Sequence, residues 1–215
     1  MDLSHRSTFA VNLNSVKPEA FASYKDLLKP QWKGKIVAQD PRGSGPGQAT
    51  FLFFYLHTDL GPDFIRALAG QGIMFLRDYQ QEVDGLGHGN YSLLLGGPEP
   101  NTEQRIEQGL PIAIVDPSKL KEYSDIGAGN VNVALFNKAP HPNAARVYLN
   151  WLLSKEGQTL FARAQVYVSN RLDVPTDFLE QWRVPQPGAI VDDSLEAQQI
   201  RGEKLLPLLT EVLGK

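Results

Sequence analysis

Residues 36–48 read I-V-A-Q-D-P-R-G-S-G-P-G-Q. The apolar run at their start predicts a short buried strand, and the strongly apolar stretch that follows, residues 48–58, predicts a helix. Between them lies a segment that we call the glycine loop, Asp40–Gly47, in which three glycines alternate with other residues. A strand, a glycine-containing turn and a helix in this order indicate a unit of an α/β fold.

The alternation of strand and helix continues on both sides of this unit. Short apolar runs predict further strands, so that the full set is Thr8–Asn14, Lys35–Gln39, Ile73–Leu76, Tyr91–Leu95, Pro111–Val115 and Val131–Phe136. Apolar residues at helical spacing predict helices at Pro18–Leu28, Gln48–Thr58, Gly61–Gly70, Tyr79–Gly87, Thr102–Gln108, Pro142–Gln165 and Ser194–Leu213. We expect the last two helices to be interrupted near Gly157 and Pro207. The pattern predicts an α/β fold with a largely parallel sheet.

The composition is that of an ordinary globular protein, and it restricts the classes of partner. The chain has 215 residues, of which 42% are apolar and 21% charged. A net charge of −3 and the lack of any Lys/Arg cluster argue against a nucleic-acid partner. The sequence contains no cysteine, which excludes disulfides and thiolate metal sites. No apolar run approaches the roughly 18 residues of a membrane span, and residues 1–6 lack the pattern of a secretion signal.

The glycine loop is the best candidate binding site in the sequence. Gly43, Ser44 and Gly45 precede a helix whose first amides are unpaired and face the positive end of the helix dipole, which favours an anion. Arg42 adds a permanently charged planar group beside them. The loop matches neither G-x-G-x-x-G nor the P-loop pattern. The alternative is a strand-to-helix turn that needs glycine only for its geometry.

Three other places carry candidate ligand-binding residues. Arg77 and Asp78 follow a predicted strand directly, where α/β folds place ligand-facing groups. Gly129 and Asn130 precede another strand and offer backbone amides, or form a flexible crossover. Arg171 offers a further guanidinium, or pairs locally with an aspartate two residues later.

The sequence shows no catalytic constellation. The four histidines are scattered without metal-ligand spacing, and no serine stands in a G-x-S-x-G elbow. We therefore expect no catalytic residue, no metal site and no cofactor, and favour binding over chemistry. Two alternatives stay open: an α/β enzyme that acts on a phosphorylated substrate through Gly43–Gly47, and a remnant that binds nothing.

Several motifs, taken together, resemble the extracellular solute-binding proteins of ABC importers, in the ferric-ion-binding-like branch of the type II periplasmic binding fold. These motifs are Trp32-Lys33-Gly34-Lys35-Ile36, Asp40-Pro41-Arg42 with its glycines, His141-Pro142-Asn143-Ala144-Ala145, and Leu152-Leu153-Ser154-Lys155-Glu156-Gly157-Gln158. The resemblance extends from Phe9 to about Pro175. Iron-binding members place adjacent tyrosines after the strand that corresponds to Tyr91–Leu95, where this chain has Gly96-Gly97, so the resemblance does not include iron ligation.

The resemblance implies two α/β lobes that close around a solute like a hinge. It implies one nearly complete lobe here and a remnant of the other, because the family's N-terminal portion is expected to be missing. The implied division is an inter-lobe crossover strand at 1–14, the second lobe at 15–125, the remnant of the first lobe at 126–165, and a C-terminal segment at 166–215 that packs back on the second lobe.

The resemblance also implies a function without enzymatic activity. The chain is expected to capture a small organic or phosphorylated anion and to deliver it to an ABC permease, working in the periplasm or lipid-anchored outside the cell. An incomplete first lobe would leave an apolar patch exposed, which predicts a dimer through that lobe.

Overall fold

The structure is a computed structural model that describes residues 2–5, 8–96, 100–128, 132–185, 190–191 and 195–214. Its strands are β1 Asp2–His5, β2 Phe9–Asn12, β3 Ile36–Gln39, β4 Met74–Leu76, β5 Leu93–Leu95, β6 Ile112–Ile114, β7 Asp125–Ala128, β8 Val168–Ser169 and β9 Ile190–Val191. Its α-helices are α1 Pro46–Leu56, α2 Gly61–Ala69, α3 Tyr79–Gly87, α4 Pro100–Glu107, α5 Pro142–Leu152, α6 Lys155–Gln165, α7 Leu195–Ile200 and α8 Leu206–Leu213. The predicted α/β class is confirmed.

The chain forms two compact units. The large unit contains His5–Asp125 and Ile190–Lys215, and the small unit contains Met1–Ser4 and Ile126–Ala189. The division predicted from the sequence stays a prediction, and these units differ from it in two places. They assign β2 to the large unit and 166–189 to the small unit.

The large unit is built on a five-stranded sheet in the order β4-β3-β5-β2-β6. β3 runs parallel to both β4 and β5, whereas β2 runs antiparallel to both β5 and β6. The sheet is therefore mixed, and the prediction of a largely parallel sheet was wrong for β2. The residue pattern of a buried strand does not encode its direction, which depends on the partners between which it inserts.

The main core of the large unit surrounds α1. This helix is apolar on all sides, and Phe51, Phe53 and Phe54 are almost completely buried. Tyr24 packs edge-on against two of these rings, with centroids 5.6 Å from Phe53 and 5.3 Å from Phe54. Because buried rings hold the helix on the sheet, they also determine where the glycine loop in front of it lies.

The C-terminal helices pack on the same core through Leu205, Leu208 and Leu209. Residues 201–205 form a single π-helical segment between α7 and α8, and the N–H of Leu206 bonds to the carbonyl of Arg201. The predicted interruption near Pro207 thus lies just before that proline. Pro207 has no N–H to donate to the carbonyl four residues earlier, so the helical ladder must change there.

The small unit contains residues 2–4 of β1, the strand β8, which pairs antiparallel with β1, and the helices α5 and α6. The predicted break in this helical region occurs at Leu153–Ser154 and not at Gly157. Ser154 caps α6 by accepting a hydrogen bond from the N–H of Gly157 at 3.1 Å. Gly157 lies inside α6, and only glycine fits there because a Cβ would overlap the carbonyl oxygen of Trp151.

Two further predicted elements were wrong. Residues 132–136, the described part of the predicted strand Val131–Phe136, form no strand and are exposed. Their composition favours a strand, but whether a strand forms also depends on a neighbouring strand, which composition does not predict. The predicted helix Pro18–Leu28 is instead two short 3₁₀ helices, Pro18–Ala20 and Tyr24–Leu28, the second of which starts at a capping box on Ser23.

Within the described residues, the helices are all too short or too polar to cross a membrane.

Candidate functional site

The glycine loop starts at the carboxyl end of β3, beside the carboxyl end of the parallel strand β4. Gln39 is in register with Leu76, and the N–H of Asp40 donates to the carbonyl of Leu76 at 2.8 Å. The residues that follow the two strands, Asp40 and Arg77, therefore lie at the same edge of the sheet. Ligand sites of open α/β sheets lie outside such carboxyl ends.

An open cleft of about 520 Å³ lies at this edge of the large unit. Its lining residues are Gln39, Asp40, Arg42, Gly43, Ser44 and Arg77. The cleft is within the usual size range of small-molecule sites. Four of the residues that the sequence predicted for binding, Arg42, Gly43, Ser44 and Arg77, therefore line one cleft.

Arg42 is less available than the sequence indicated. Its Nε donates to Asp40 Oδ1 at 2.9 Å and its Nη2 donates to Asp40 Oδ2 at 2.9 Å, which makes a two-pronged ion pair. Its Nη1 donates to the carbonyl of Gly214, at 3.1 Å. Each guanidinium nitrogen thus has a protein acceptor. These hydrogen bonds from Arg42 hold the pKa of the Asp40 carboxyl below its usual value, and the nearby charge of Arg77 lowers that pKa further.

The glycines of the loop have separate geometric roles. Gly45 precedes α1 at φ +146°, a conformation that other residues rarely adopt. A Cβ at Gly47 would overlap the backbone carbonyl oxygen of Gln39, so only glycine lets the helix start this close to β3. Gly43 has neither constraint, because the nearest atom to a Cβ there is the Asp40 carbonyl oxygen at 3.7 Å. The strand-to-helix turn thus accounts for two of the three glycines.

The first amides of α1 are partly used by the protein itself. Gln39 Oε1 accepts a hydrogen bond from the N–H of Gly47 at 3.1 Å, and Pro46 has no N–H. The N–H groups of Ser44 and Gly45 have no acceptor among the residues that the structure describes. The uncharged anion donors that remain in the loop are therefore these two amides and the Ser44 hydroxyl.

Arg77 differs from Arg42 in being unpaired. Its side chain is exposed and forms no hydrogen bond or ion pair with any described residue. Asp78, the next residue, caps α3 by accepting a hydrogen bond from the N–H of Gln80 at 2.8 Å. It does not line the cleft. Among the residues that the structure describes, Arg77 is thus a cation without a partner, whereas Asp78 is a helix cap.

The remaining predicted site residues lie elsewhere. Arg171 belongs to the small unit, where its Nε and Nη2 donate to Asp173 at 2.8 and 2.9 Å and its Nη1 donates to the carbonyl of Leu153 at 3.1 Å. This is the local ion pair that the sequence left open. Gly129 and Asn130 lie outside the described residues.

Sequence reasoning missed one residue that lines the cleft, Gln39, and one backbone group that binds Arg42, the Gly214 carbonyl. Gln39 was placed in a buried strand, and the signal that marks it is a polar residue at the end of an apolar run. The Gly214 carbonyl is 172 positions from Arg42 in the chain, and no local signal connects them. In the part of the chain that the structure describes, no group of three or more His, Asp or Glu side chains is arranged to hold a metal ion.

Comparison with known proteins shows the family. A family model described as bacterial extracellular solute-binding protein matches residues 3–164, well over half of the chain. Among curated proteins, no sequence matches.

Solved structures of periplasmic binding proteins share the fold. The protein AfuA from Actinobacillus pleuropneumoniae, with fructose-6-phosphate bound, has a TM-score of 0.67 at 17% identity, over 98% of this chain and 65% of its own. The substrate-binding protein of an ABC transporter from Agrobacterium tumefaciens has a TM-score of 0.69 at 20% identity, over 100% of this chain and 67% of its own. Ferric iron-binding protein A from Mannheimia haemolytica has a TM-score of 0.67 at 17% identity, over 100% of this chain and 69% of its own.

This chain thus spans 65% of the length of AfuA and about two thirds of the other two. The family and these neighbours are solute-binding proteins and not enzymes, so the enzyme alternative has no support. At these identities the neighbours show the fold, which is that of the type II periplasmic binding proteins, including the ferric-ion-binding-like branch. The chain belongs to the family of bacterial extracellular solute-binding proteins.

Proposed function

We propose that this protein is the solute-binding component of an ABC import system, which captures a small anionic solute and delivers it to a membrane permease. The observation that carries the anionic part is the cleft at the glycine loop. Two arginines and one aspartate line it, so its charged side chains sum to +1. The unpaired N–H of Ser44, together with its hydroxyl, adds neutral donors suited to an oxyanion.

The fold neighbours support a binding role but differ in what they bind. AfuA was solved with fructose-6-phosphate, another neighbour is a ferric iron-binding protein, and a third is a periplasmic thiamin-binding protein. For this chain, an organic or phosphorylated anion fits the cleft best because its lining donates hydrogen bonds through guanidinium, hydroxyl and amide groups. We place its work in the periplasm or, with a lipid anchor, on the outer side of the membrane.

A ligand screen by thermal shift and calorimetry tests the binding role. Organic acids, sugar phosphates and ferric salts would be compared with uncharged matched solutes, for example glycerol 3-phosphate against glycerol. A bound anion at about 100 times its Kd stabilises the fold by about 2.7 kcal/mol, which gives a clear rise in Tm. If uncharged solutes raise Tm and none of the anions does, the proposal of an anionic solute is wrong.

Delivery to a permease has its own test. A strain that lacks the gene should lose uptake of the solute found in the screen, and expression of the gene should restore it. Unchanged uptake in the deletion strain would contradict a role in import.

We also propose that a second copy of the chain covers an apolar surface of the small unit. Val147, Tyr148 and Trp151 are 70%, 58% and 44% exposed on α5, and they share one helical face. Exposed apolar residues that lie together on one face are a common feature of protein interaction sites. Tyr148→Glu should shift the sedimentation of the protein toward monomer, whereas Leu172→Gln, at an exposed leucine outside α5, should not. A wild-type protein that sediments as a monomer at all concentrations would refute this association.

A further inference from the structure

The two arginines of the cleft differ in their partners: Arg42 is paired with the carboxylate of Asp40, whereas Arg77 has no partner among the described residues. We propose that the cleft selects a singly charged anionic group, such as a carboxylate or a phosphodiester, and that Arg77, and not Arg42, bears its charge. This inference rests on the proposed function as an anion-binding protein. It names the ligand class and the residue that determines the specificity of that site.

The first step is that Arg42 is neutralised in place. Two of its nitrogens donate to the carboxylate of Asp40 in a bidentate pair, and the third donates to the Gly214 carbonyl. The Arg42 side chain is 33% exposed and that of Asp40 only 13%, so the pair is held at the wall of the cleft. To bind a ligand with its full charge, Arg42 would have to give up its charge-assisted pair with Asp40.

The second step is that Arg77 is free. No described side chain or carbonyl accepts a hydrogen bond from its guanidinium, and it is exposed where it lines the cleft. The charge of Arg77 lowers the pKa of the Asp40 carboxyl, but that carboxylate is engaged by Arg42. A planar guanidinium in this state is suited to bidentate contact with a carboxylate or with two phosphate oxygens.

The third step is the charge balance. With the Asp40–Arg42 pair neutral, one positive charge remains in the lining, and the N–H and hydroxyl of Ser44 add uncharged donors. A monoanion balances that charge. A dianion brings a second negative charge beside the carboxylate of Asp40, where like charges repel. The structure thus favours a head group of charge −1 over one of charge −2.

Two small phosphate esters test this at one pH. At pH 8, dimethyl phosphate carries one negative charge and methyl phosphate carries nearly two, on the same tetrahedral group. Binding of each to the purified full chain would be measured by calorimetry and by NMR line broadening, with acetate as the carboxylate probe. We expect dimethyl phosphate and acetate to bind at least several-fold more tightly than methyl phosphate.

Variants separate the roles of the side chains. Arg77→Gln should weaken binding of dimethyl phosphate at least tenfold, whereas Arg66→Gln, at an exposed arginine of α2, should leave it unchanged. Asp40→Asn removes the negative charge and releases Arg42, so it should shift the preference toward methyl phosphate. Circular dichroism and Tm of each variant show that it is folded.

The outcomes distinguish the two proposals. If the folded wild-type chain binds none of these anions, both the anion-binding function and the inference are wrong. If it binds them but prefers methyl phosphate, or if Arg77→Gln binds as the wild type does, the anion-binding function survives and the inference is overturned. An Asp40→Asn variant with an unchanged preference refutes the charge balance.

Discussion

Glu82 is a buried carboxyl group whose protonation should make the stability of the large unit depend on pH. It lies in α3 with no exposed surface, and neither carboxyl oxygen has a hydrogen-bond partner among the described residues. Burial raises the pKa of Glu82 from the ordinary 4.5 to about 8, and the negative charge of Asp78 contributes. At neutral pH the folded protein therefore holds Glu82 as a neutral acid.

The sign of the effect follows from the two states of the chain. In the unfolded chain Glu82 loses its proton near pH 4.5, whereas in the folded chain it keeps the proton until about pH 8. Between these values the unfolded state binds fewer protons, so the free energy of unfolding falls as the pH rises. Each increase of one pH unit lowers the free energy of unfolding by up to about 1.4 kcal/mol. From pH 4.5 to pH 8 the loss reaches about 4–5 kcal/mol, a large part of the stability of an average domain.

The perturbation is Glu82→Gln, which keeps the shape and removes the titration. We expect the variant and the wild type to differ by about 1 kcal/mol or less at pH 5, because both side chains are neutral in the folded state and pH 5 lies only just above the unfolded pKa of 4.5. At pH 8 the variant should be more stable by roughly 3–5 kcal/mol. Urea denaturation followed by fluorescence at pH 5, 6.5 and 8 measures the difference directly.

Glu107→Gln is the matched control, since Glu107 is exposed at the end of α4. Its free energy of unfolding should stay within about 0.5 kcal/mol of the wild type at each pH. Parallel stability profiles for the wild type and Glu82→Gln from pH 5 to pH 8 would refute the reasoning, because a carboxyl group buried without a partner cannot titrate like an exposed one.

Two local features of the backbone give further predictions. Gly47→Ala should destabilise the protein by about 1–3 kcal/mol, because its Cβ would overlap the Gln39 carbonyl, whereas Gly43→Ala should stay within about 0.5 kcal/mol; equal values in urea denaturation would contradict the close approach. Ser154→Ala should cost about 1 kcal/mol by removing the acceptor for the Gly157 N–H, and Ser154→Asp should retain most of the stability. Equal Tm values for the alanine and aspartate variants would show that the cap does not matter.

Local pattern was sufficient for most elements of the large unit. The bounds of α3, Tyr79–Gly87, were predicted to the residue from a helical pattern that ends on glycine, although Asp78, its N-cap, was predicted to bind ligand. The strand β3 and the helix α1 agree with prediction to within about two residues, a common difference at element ends. In each case the residues that define the element lie within a few positions of one another, so the sequence contains the whole signal.

The elements that failed depend on distant partners. The direction of β2 depends on its insertion between β5 and β6, and residues 132–136 have strand composition without forming a strand. The candidate site also depends on residues that are distant in the chain. Local sequence placed Arg42 and Ser44 in one loop at the carboxyl end of a strand, and strand order brought Arg77 to that edge.

The sequence by itself determined the α/β class, the glycine loop and the types of side chain available to an anion. Only the tertiary structure decided which arginine is free. The pair of Arg42 with Asp40 is local, but the third hydrogen bond of Arg42 goes to the carbonyl of Gly214, which is distant in the chain. The Gln39 side chain accepts a hydrogen bond from the N–H of Gly47, so that this amide is not available to a ligand. A guanidinium is useful to a ligand only when the protein leaves its charge unpaired, and that depends on contacts which close only when the chain has folded.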